Sequence, residues 1–247
     1  MIDLRLGDCL EVMKGIESGS VDAIITDPPY GTTACKWDSV IDFDLMWEQL
    51  NRIIKPNGGI VLFGSEPFSC ALRMSNIKNY KYDWVWEKSK ASNFVLAKKQ
   101  PLKAHEIISV FNSKIYIPQK TQGKPYNKGK RKLTNGFVSE FLNKVPNAET
   151  YGIENKSGLR NPRSVQYFVT AEREGKHHPT QKPIALMEYL IKTYTNENET
   201  VLDFTMGSGS TMVACQNLKR NGIGIEQDEA YFKIASKRIK ENKYKLF

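Results

Sequence analysis

The sequence Asp27-Pro28-Pro29-Tyr30 directly follows an apolar run, residues 21–26, that has the composition of a buried strand. Open α/β sheets bind their ligands beyond the carboxyl ends of the strands, so Asp27 is predicted to lie at a ligand site. Each proline fixes its own φ angle and restricts the residue before it, which makes the turn stiff. A carboxylate, a backbone carbonyl and an aromatic ring suit a planar base with an amino group. Taken alone, the four residues are equally compatible with an ordinary loop.

A second pattern of strand, turn and helix lies near the end of the chain. Residues 201–204 form a short apolar strand that leads into Gly207-Ser208-Gly209-Ser210, and a helix is predicted over 211–218. The next strand, 223–226, ends at Glu226, about 20 residues after Gly207, a spacing at which a carboxylate meets a ribose diol. The turn lacks the third glycine of a dehydrogenase and the lysine of a P-loop. A ligand with a ribose but no phosphates, such as S-adenosylmethionine (SAM), fits it better.

The alternation of strands and helices predicts an α/β fold with a doubly wound, mostly parallel sheet. Pro56-Asn57-Gly58-Gly59 is predicted to end one helix, and Asp228 to cap the last helix at its N-terminus. Residues 88–103 are predicted to be a basic loop between two strands. The other predicted strands are 1–6, 60–63, 82–86 and 107–111, and the other predicted helices are 9–17, 44–55, 183–194 and 228–240.

The net charge of +9 is concentrated in the middle of the chain. Residues 113–176 contain thirteen Lys/Arg and five Glu, and residues 88–103 contain five lysines and no acid. Basic residues interleaved with aromatic ones favour a polyanionic partner, although a solvated lysine-rich surface is the alternative. Apolar periodicity fades over 112–176. This stretch is therefore predicted to be a separate, irregular module between two parts of one core, 1–111 and 177–247.

The cysteines and histidines show no metal-binding pattern. The four cysteines form no Cys-x-x-Cys pair, and the three histidines lack an i, i+4 partner. No signal peptide and no apolar run near 18 residues is visible in the sequence. We therefore expect a reduced, soluble, cytoplasmic protein that needs no metal and does not enter a membrane.

Four motifs, in this order, resemble those of the bacterial and phage amino-group DNA methyltransferases, in particular the β group, in which the catalytic motif precedes the SAM motif. They are Asp27-Pro28-Pro29-Tyr30, His178-Pro179-Thr180-Gln181-Lys182-Pro183, residues 201–211 and Gly224-Ile225-Glu226. The family's SAM loop usually reads Asp-Pro-Phe-x-Gly-Ser-Gly-Thr-Thr. Here Phe204-Thr205 replaces Pro-Phe and Ser210 replaces the first threonine, which puts individual cofactor contacts in question but not the fold.

The resemblance implies a Rossmann-like methyltransferase sheet with an irregular target-recognition insertion at 112–176. Such a sheet needs a strand beside 223–226, which residues 1–7 can supply, so Asp8 and Cys9 become candidate adenine contacts; an ordinary turn is the alternative. Lys182 is expected near the methionine half of SAM, or else on the surface or at a DNA phosphate. The implied catalytic residues are Asp27, Pro28, Pro29 and Tyr30, and the implied SAM-binding residues are Asp8, Cys9, Asp27, Thr180, Lys182, Asp203, Phe204, Gly207, Ser208, Gly209, Ser210, Thr211 and Glu226.

The resemblance also implies a reaction, transfer of a methyl group from SAM to an exocyclic amine of a base flipped out of DNA. Hydrogen bonds from the amine to Asp27 and to the Pro28 carbonyl would localise its lone pair, and Tyr30 would stack on the base. The family tends to use an acid at position 27 for adenine N6, so adenine is favoured over cytosine N4. RNA adenine or a protein glutamine is a further substrate alternative, and a DNA-binding protein without activity is the alternative from another class.

DNA contacts are expected from basic residues, although the sequence does not separate base readers from phosphate contacts. The loop with Lys36 and Trp37 either closes over the flipped base or packs Trp37 in the core. The resemblance further suggests a homodimer. The candidate DNA-binding residues are Lys88, Lys90, Lys98, Lys99, Lys130, Arg131, Lys132, Arg160 and Arg163.

Overall fold

A computed structural model describes residues 1–32, 38–132, 150–175 and 177–245 of the chain. The chain divides into two compact units, one formed by Met1–Ile117 with Arg163–Phe247 and the other by Pro118–Pro162. The strands are β1 (Ile2–Leu6), β2 (Val21–Thr26), β3 (Ile54–Gly64), β4 (Tyr80–Ser92), β5 (Lys103–Phe111), β6 (Thr121–Gln122), β7 (Tyr126–Lys132), β8 (Thr150–Asn155), β9 (Leu159–Arg160), β10 (Val165–Phe168), β11 (Thr200–Asp203) and β12 (Asn221–Glu226). The helices are α1 (Cys9–Lys14), α2 (Phe43–Ile53), α3 (Phe68–Ser75), α4 (Ile184–Tyr194), α5 (Ser210–Asn217) and α6 (Glu229–Lys245).

The main unit is built around an eight-stranded sheet in the order β1-β12-β11-β2-β3-β5-β4-β10. Every described pair is parallel except the two that involve β5, which is antiparallel to both β3 and β4. The prediction of a mostly parallel α/β sheet is therefore confirmed. The amino-terminal strand β1 pairs with β12, with Leu6 opposite Glu226, as the permuted order of the motifs predicts.

Helices cover both faces of the sheet because its central strands are apolar on both sides. All six residues of β2 are buried. Ala23 and Ile25 belong to a core cluster with residues of α4, α5 and α6, whereas Ile24 belongs to a second cluster with residues of α1, α2 and α3. Continuous apolar character in such a strand is what a parallel sheet with two covered faces requires.

Two predicted boundaries were wrong. Helix α2 ends at Ile53, and strand β3 begins at the next residue and continues through the Pro56–Gly59 segment. There the register shifts between the pairs Val21–Ile54 and Ala23–Gly59, so the proline and glycines form an irregularity within a strand rather than a loop. Residues 88–103 are also not a single loop, because β4 and β5 stay paired as far as Ser92 and Lys103. The connection is 93–102, with a short 3₁₀ helix at Phe94–Leu96.

The second unit contains two small antiparallel pairs, β6 with β9 and β7 with β8. It is narrower than the module predicted at 112–176, because β10 continues the main sheet by pairing with β4. Its role in target recognition stays a prediction. Residues 133–149 and 176, which the predicted module includes, lie outside the described residues. Of the helices described, none combines the length and the hydropathy needed to cross a bilayer.

Candidate active site

Four neighbouring parallel strands bring acidic residues to one edge of the sheet. Asp203 and Glu226 end β11 and β12, and Asp27 and Asp8 follow β2 and β1 closely. All four line one cavity of about 1430 Å³ in the main unit. Pockets for a single small ligand usually measure roughly 300–1,000 Å³, so this cavity has room for two ligands side by side. The catalytic and SAM motifs, far apart in sequence, thus converge on one crevice.

The glycine turn between β11 and α5 has the backbone that only glycine adopts easily. Gly207 and Gly209 have φ angles of +53° and +79°. The amide of Gly207 donates to Oε2 of Glu226 at 2.9 Å, and the amide of Asp228 donates to Oε1 at 2.8 Å. Burial raises the pKa of Glu226, and the backbone donors oppose that rise. Glu226 is therefore fixed against the turn while it lines the cavity.

Asp203 joins the glycine turn to strand β2. Its carboxylate accepts hydrogen bonds from the hydroxyl of Thr26 at 2.6 Å, from the amide of Thr205 at 3.2 Å and from the hydroxyl of Thr211. Burial raises its pKa to about 6, although the threonine hydroxyls act in the opposite direction. The Thr205 hydroxyl also donates to the backbone carbonyl of Asp27 at 3.0 Å. A departure from the family pattern thus contacts the catalytic turn directly.

The remaining residues of the SAM loop are buried and supported from behind. Arg238 of α6 donates to the carbonyl of Ser208 at 2.6 Å and to its hydroxyl at 2.9 Å. Phe204, Ser208 and Ser210 are all buried. Burial lowers the pKa of Arg238, although Glu174 counters this. These contacts hold the loop, and which of its atoms touch SAM stays a prediction.

At the other side of the turn, Asp8 caps helix α1. Its Oδ1 accepts from the amides of Leu10 at 2.9 Å and Glu11 at 3.3 Å. Cys9 is buried, and burial raises the pKa of its thiol to about 12. Thr180, which is exposed, has its hydroxyl 3.1 Å from Nδ1 of His178. Asp8, Cys9, His178 and Thr180 all line the cavity. Contacts of Asp8, Cys9 and Thr180 with the cofactor stay predictions.

The Asp27–Tyr30 turn is held in one shape by neighbours that the sequence does not reveal. The carboxylate of Asp38 accepts from the amides of Tyr30 at 2.7 Å, Gly31 at 2.9 Å and Thr32 at 2.9 Å. The ring of Tyr30 stacks on Phe68 with centroids 5.0 Å apart, so one of its faces is already covered. Its hydroxyl donates to Oδ1 of Asp27. Burial and the Asp27 carboxylate raise the pKa of Tyr30 well above 10, so the phenol keeps its proton.

Lys182 is buried at the centre of the site, which makes the surface alternative for this residue wrong. Only 8% of its side chain is exposed, and its ammonium forms an ion pair with Oδ2 of Asp27. A second carboxylate, Glu106 of β5, lies 3.4 Å away and also pairs with Lys88. Burial raises the pKa of Asp27, whereas Lys182 lowers it. For Glu106, Lys182 and Lys88 outweigh burial, and its pKa is lowered.

The candidate DNA-binding residues occupy different surroundings. Lys88 is largely buried against Glu106, and Lys90 pairs with Glu172. Lys98 and Lys99 are exposed at the tip between β4 and β5, as are the nearby Phe94 and Val95. Arg163 is exposed.

In the second unit the guanidinium of Arg160 lies 4.4 Å from the ring of Tyr126 and donates to the carbonyl of Lys124 at 2.8 Å. The backbones of Lys130, Arg131 and Lys132 lie in β7, but their side chains are outside the described part of the chain, as are Lys36 and Trp37 entirely. Among the described residues no three His, Cys, Asp or Glu side chains gather as a metal site.

A glycine turn, a carboxylate on the adjoining strand and an Asp-Pro-Pro-Tyr turn share one cavity at the carboxyl edge of this sheet. That combination defines the class of Rossmann-like methyltransferases that act on amino groups.

Known proteins agree with this class. Residues 21–237 match the N6_N4_Mtase family model, described as DNA methylase. The chain is 29% identical over 256 residues to the type II methyltransferase M.HpaI of Haemophilus parainfluenzae, covering 96% of this chain and 74% of that protein. It is 27% identical over 270 residues to M.HinfI of Haemophilus influenzae, covering 96% and 68%.

Two solved structures are also similar. The M1.HpyAVI–SAM complex has a TM-score of 0.64 at 28% identity, over 97% of this chain and 99% of that one. The cytosine-N4-specific PvuII DNA methyltransferase has a TM-score of 0.66 at 16% identity, over 99% and 92%, which shows a shared fold alone. The chain belongs to the DNA methylase family, and its activity is SAM-dependent DNA methylation.

Proposed function

We propose that this chain methylates the N6 amino group of adenine within a specific sequence of double-stranded DNA. The observation that carries the proposal is the position of Asp27. Its carboxylate lies in the same cavity as the glycine turn, and it is partly buried beside the aromatic ring of Tyr30, with 20% of its side chain exposed. A planar base with an amino group can meet an acceptor and a stacking surface there.

The reaction requires the protein to orient the two substrates and to provide hydrogen-bond acceptors for the amine. When SAM is bound, it supplies a methyl group already activated on a sulfonium. An exocyclic amine is a poor nucleophile because its lone pair is delocalised into the ring. Acceptance of its N–H groups by Asp27 and by the Pro28 carbonyl favours a pyramidal nitrogen with a localised lone pair, and fixed acceptors in a closed site cost little reorganisation.

Access to the amine requires the base to leave the duplex, which costs a few kcal/mol. One face of Tyr30 is covered by Phe68, so the base is assigned to the other face; the Lys182 ammonium lies 5.9 Å from the ring centroid. Stacking on an aromatic side chain contributes roughly 1–3 kcal/mol per base and offsets much of this cost. Pro29 keeps the turn stiff, and the Asp38 carboxylate holds the amides that follow it.

Adenine is favoured because an acid at the first position of this motif resembles the adenine members of the family. Cytosine N4 is the second candidate, since the family covers it and one similar fold is cytosine-N4-specific. Of the residues proposed to bind SAM, all line the cavity except Gly209, which belongs to the same glycine turn. Target recognition is assigned to the basic region 112–176, in a homodimer or a monomer, in the cytoplasm of a bacterial or phage-infected cell.

Long-read sequencing of a methylation-deficient host that expresses the protein tests this function. We expect N6-methyladenine in one short sequence context, and no mark from the Asp27→Ala variant expressed at the same level. N4-methylcytosine in place of methyladenine would transfer the proposal to the second candidate. Unmodified DNA with a folded, SAM-binding protein would overturn it.

Lys98 and Lys99 provide a test of duplex binding. Both are exposed at the tip between β4 and β5, and that segment carries no acid. The double change to alanine should weaken binding to duplex DNA of any sequence and reduce the slope of log K against log salt by about two, one for each lost phosphate contact. Fluorescence anisotropy at several salt concentrations measures this slope. The control is Lys14→Ala/Lys233→Ala, which removes two exposed lysines from helices α1 and α6. An equal change of slope in both variants would assign the effect to net charge.

A further inference from the structure

The Lys182 ammonium occupies an oxygen of Asp27, the residue that the proposed function makes the acceptor of the substrate's amine. Both oxygens of Asp27 are engaged, Oδ1 by the Tyr30 hydroxyl and Oδ2 by Lys182. A buried ammonium is a stronger donor to a carboxylate than the neutral amino group of a base. An amino group that needs Asp27 as its acceptor therefore competes with a cation that is already in place.

Glu106 offers this cation a second acceptor. Its Oε1 pairs with Lys88, and its Oε2 has only a long ion-pair contact with Lys182 and no well-formed hydrogen bond to the residues that the structure describes. Oε2 lies 3.4 Å from Nζ of Lys182. Lys182 and Glu106 are both buried, with 8% and 11% of their side chains exposed. A carboxylate oxygen in such surroundings is stabilised further when a donor that is already near comes to full hydrogen-bond distance.

The charges of the cluster allow the ammonium to move without a net change. Asp27 and Glu106 are balanced by Lys182 and Lys88, so the buried site holds two carboxylates and two ammonium groups. A shift of Nζ by less than the length of a hydrogen bond would turn its 3.4 Å contact with Glu106 into a full hydrogen bond. The same shift would release Oδ2 of Asp27, while the Tyr30 hydroxyl stays on Oδ1.

We propose that Glu106 is a positioning residue that takes Lys182 away from Asp27 when the amino group of the target base enters, so that Asp27 becomes free to accept it. The proposal rests on the proposed function, since it gives Asp27 the role of amine acceptor. In this view Lys182 keeps the Asp27 carboxylate charged when no base is bound. When a base is bound, Glu106 holds the lysine away from Asp27.

The test measures how much the amino group contributes to binding. Duplexes that carry the recognition sequence have an abasic site opposite the target, so that the cost of extrusion is the same for every target. At the target position, one duplex carries adenine and the other carries purine, which lacks the amino group. If sequencing identifies cytosine as the methylated base, the pair compared is cytosine and 2-pyrimidinone. Without SAM, the wild type should bind the amino-bearing base about tenfold more tightly than its analogue, as expected for a hydrogen bond to a carboxylate.

In Glu106→Gln the ammonium has lost its second carboxylate and stays on Asp27. The ratio of the two dissociation constants should then fall to within about twofold of one. In turnover assays kcat should fall about tenfold while the KM for DNA changes less than about twofold, because phosphate contacts dominate DNA binding. The matched control is Glu172→Gln, which also removes a carboxylate from a lysine pair, with Lys90, and should keep the wild-type ratio.

Lys88→Met acts in the opposite direction and covers the case in which Glu106→Gln does not fold. Loss of the Lys88 partner makes Glu106 a better acceptor for Lys182, so the ratio should stay at the wild-type value or rise. A wild-type ratio in folded Glu106→Gln, or a ratio near one in Lys88→Met, would overturn the proposal. A ratio near one in the wild type itself, for the base that is methylated, would instead count against Asp27 as the acceptor and thus against the proposed function.

Discussion

Replacement of Asp27 by alanine is expected to reduce kcat for methyl transfer by about a thousandfold and to leave the Kd for SAM within a few-fold of the wild type. Removal of one well-placed hydrogen-bonding group from a closed active site typically costs 10²- to 10³-fold in kcat. The SAM turn keeps its own supports, because Glu226 holds the Gly207 amide and Arg238 holds Ser208. Lys182 also keeps Glu106 as a partner, so the loss of Asp27 does not strand a buried cation.

Single-turnover kinetics and isothermal titration with SAM separate the two effects. Asp42→Ala is a suitable control, because Asp42 is an exposed carboxylate that caps α2 by accepting from the Leu45 amide at 3.0 Å. Its loss should cost about 1 kcal/mol of stability and leave kcat unchanged. If Asp27→Ala weakened SAM binding as strongly as it slowed transfer, Asp27 would be a cofactor ligand rather than the acceptor for the amine.

The parts of the fold that follow from local chemistry could be predicted from the sequence. The run at 21–26 is apolar throughout, as a strand covered on both faces must be, and it forms β2. Asp228 was predicted as an N-cap, and its carboxylate accepts from the amides of Ala230 at 2.8 Å and Tyr231 at 3.1 Å. The place of β1 beside β12 followed from the permuted motif order, because a sheet of this kind needs a strand there.

The network behind Asp27 could not be predicted in the same way. Glu106 lies in β5, directly after the exposed residues Ala104 and His105. A glutamate in such a polar stretch is expected on the surface. Its burial depends on the pairing register of β4 and β5, which places Trp86 opposite it. Lys182 and Asp27 are 155 residues apart, and only the folded sheet brings them together. Asp38 likewise holds the preceding Asp27–Tyr30 turn by accepting hydrogen bonds from backbone amides, and no sequence motif predicts these contacts.

The basic hairpin shows where composition misled the interpretation. A run of lysines without acids predicts a loop, yet β4 extends through this region as far as Ser92. Long lysine side chains on a paired strand can point to solvent or toward the cavity without breaking the ladder, because side chains project from the faces of the sheet. Lys88 illustrates the second case, since its ammonium is paired inside the site with Glu106.

Replacement of Lys182 by methionine is expected to cost about 3–5 kcal/mol of unfolding free energy near pH 8, the usual penalty for removing one partner from a buried ion pair. For a chain of 247 residues this corresponds to a decrease in Tm of roughly 10 °C. The reason is that Asp27 would lose its ion-pair partner, whereas Glu106 would keep only Lys88. Methionine fills a similar volume, so the loss of charge dominates over the loss of packing.

The pH dependence of this loss identifies its cause. Burial already raises the pKa of Asp27 with Lys182 present, and without the ammonium this pKa should rise further. The pKa of Glu106, which Lys182 and Lys88 now lower, should rise as well. The folded variant then binds more protons than the unfolded chain, so its stability falls as pH rises through the carboxyl range. The deficit relative to the wild type should therefore be smaller at pH 5 than at pH 8 in urea unfolding. Lys233→Met, which breaks an exposed pair with Glu229, should cost less than about 1 kcal/mol at both values. A deficit for Lys182→Met that did not change with pH would mean that the lysine stabilises the site by packing rather than by charge.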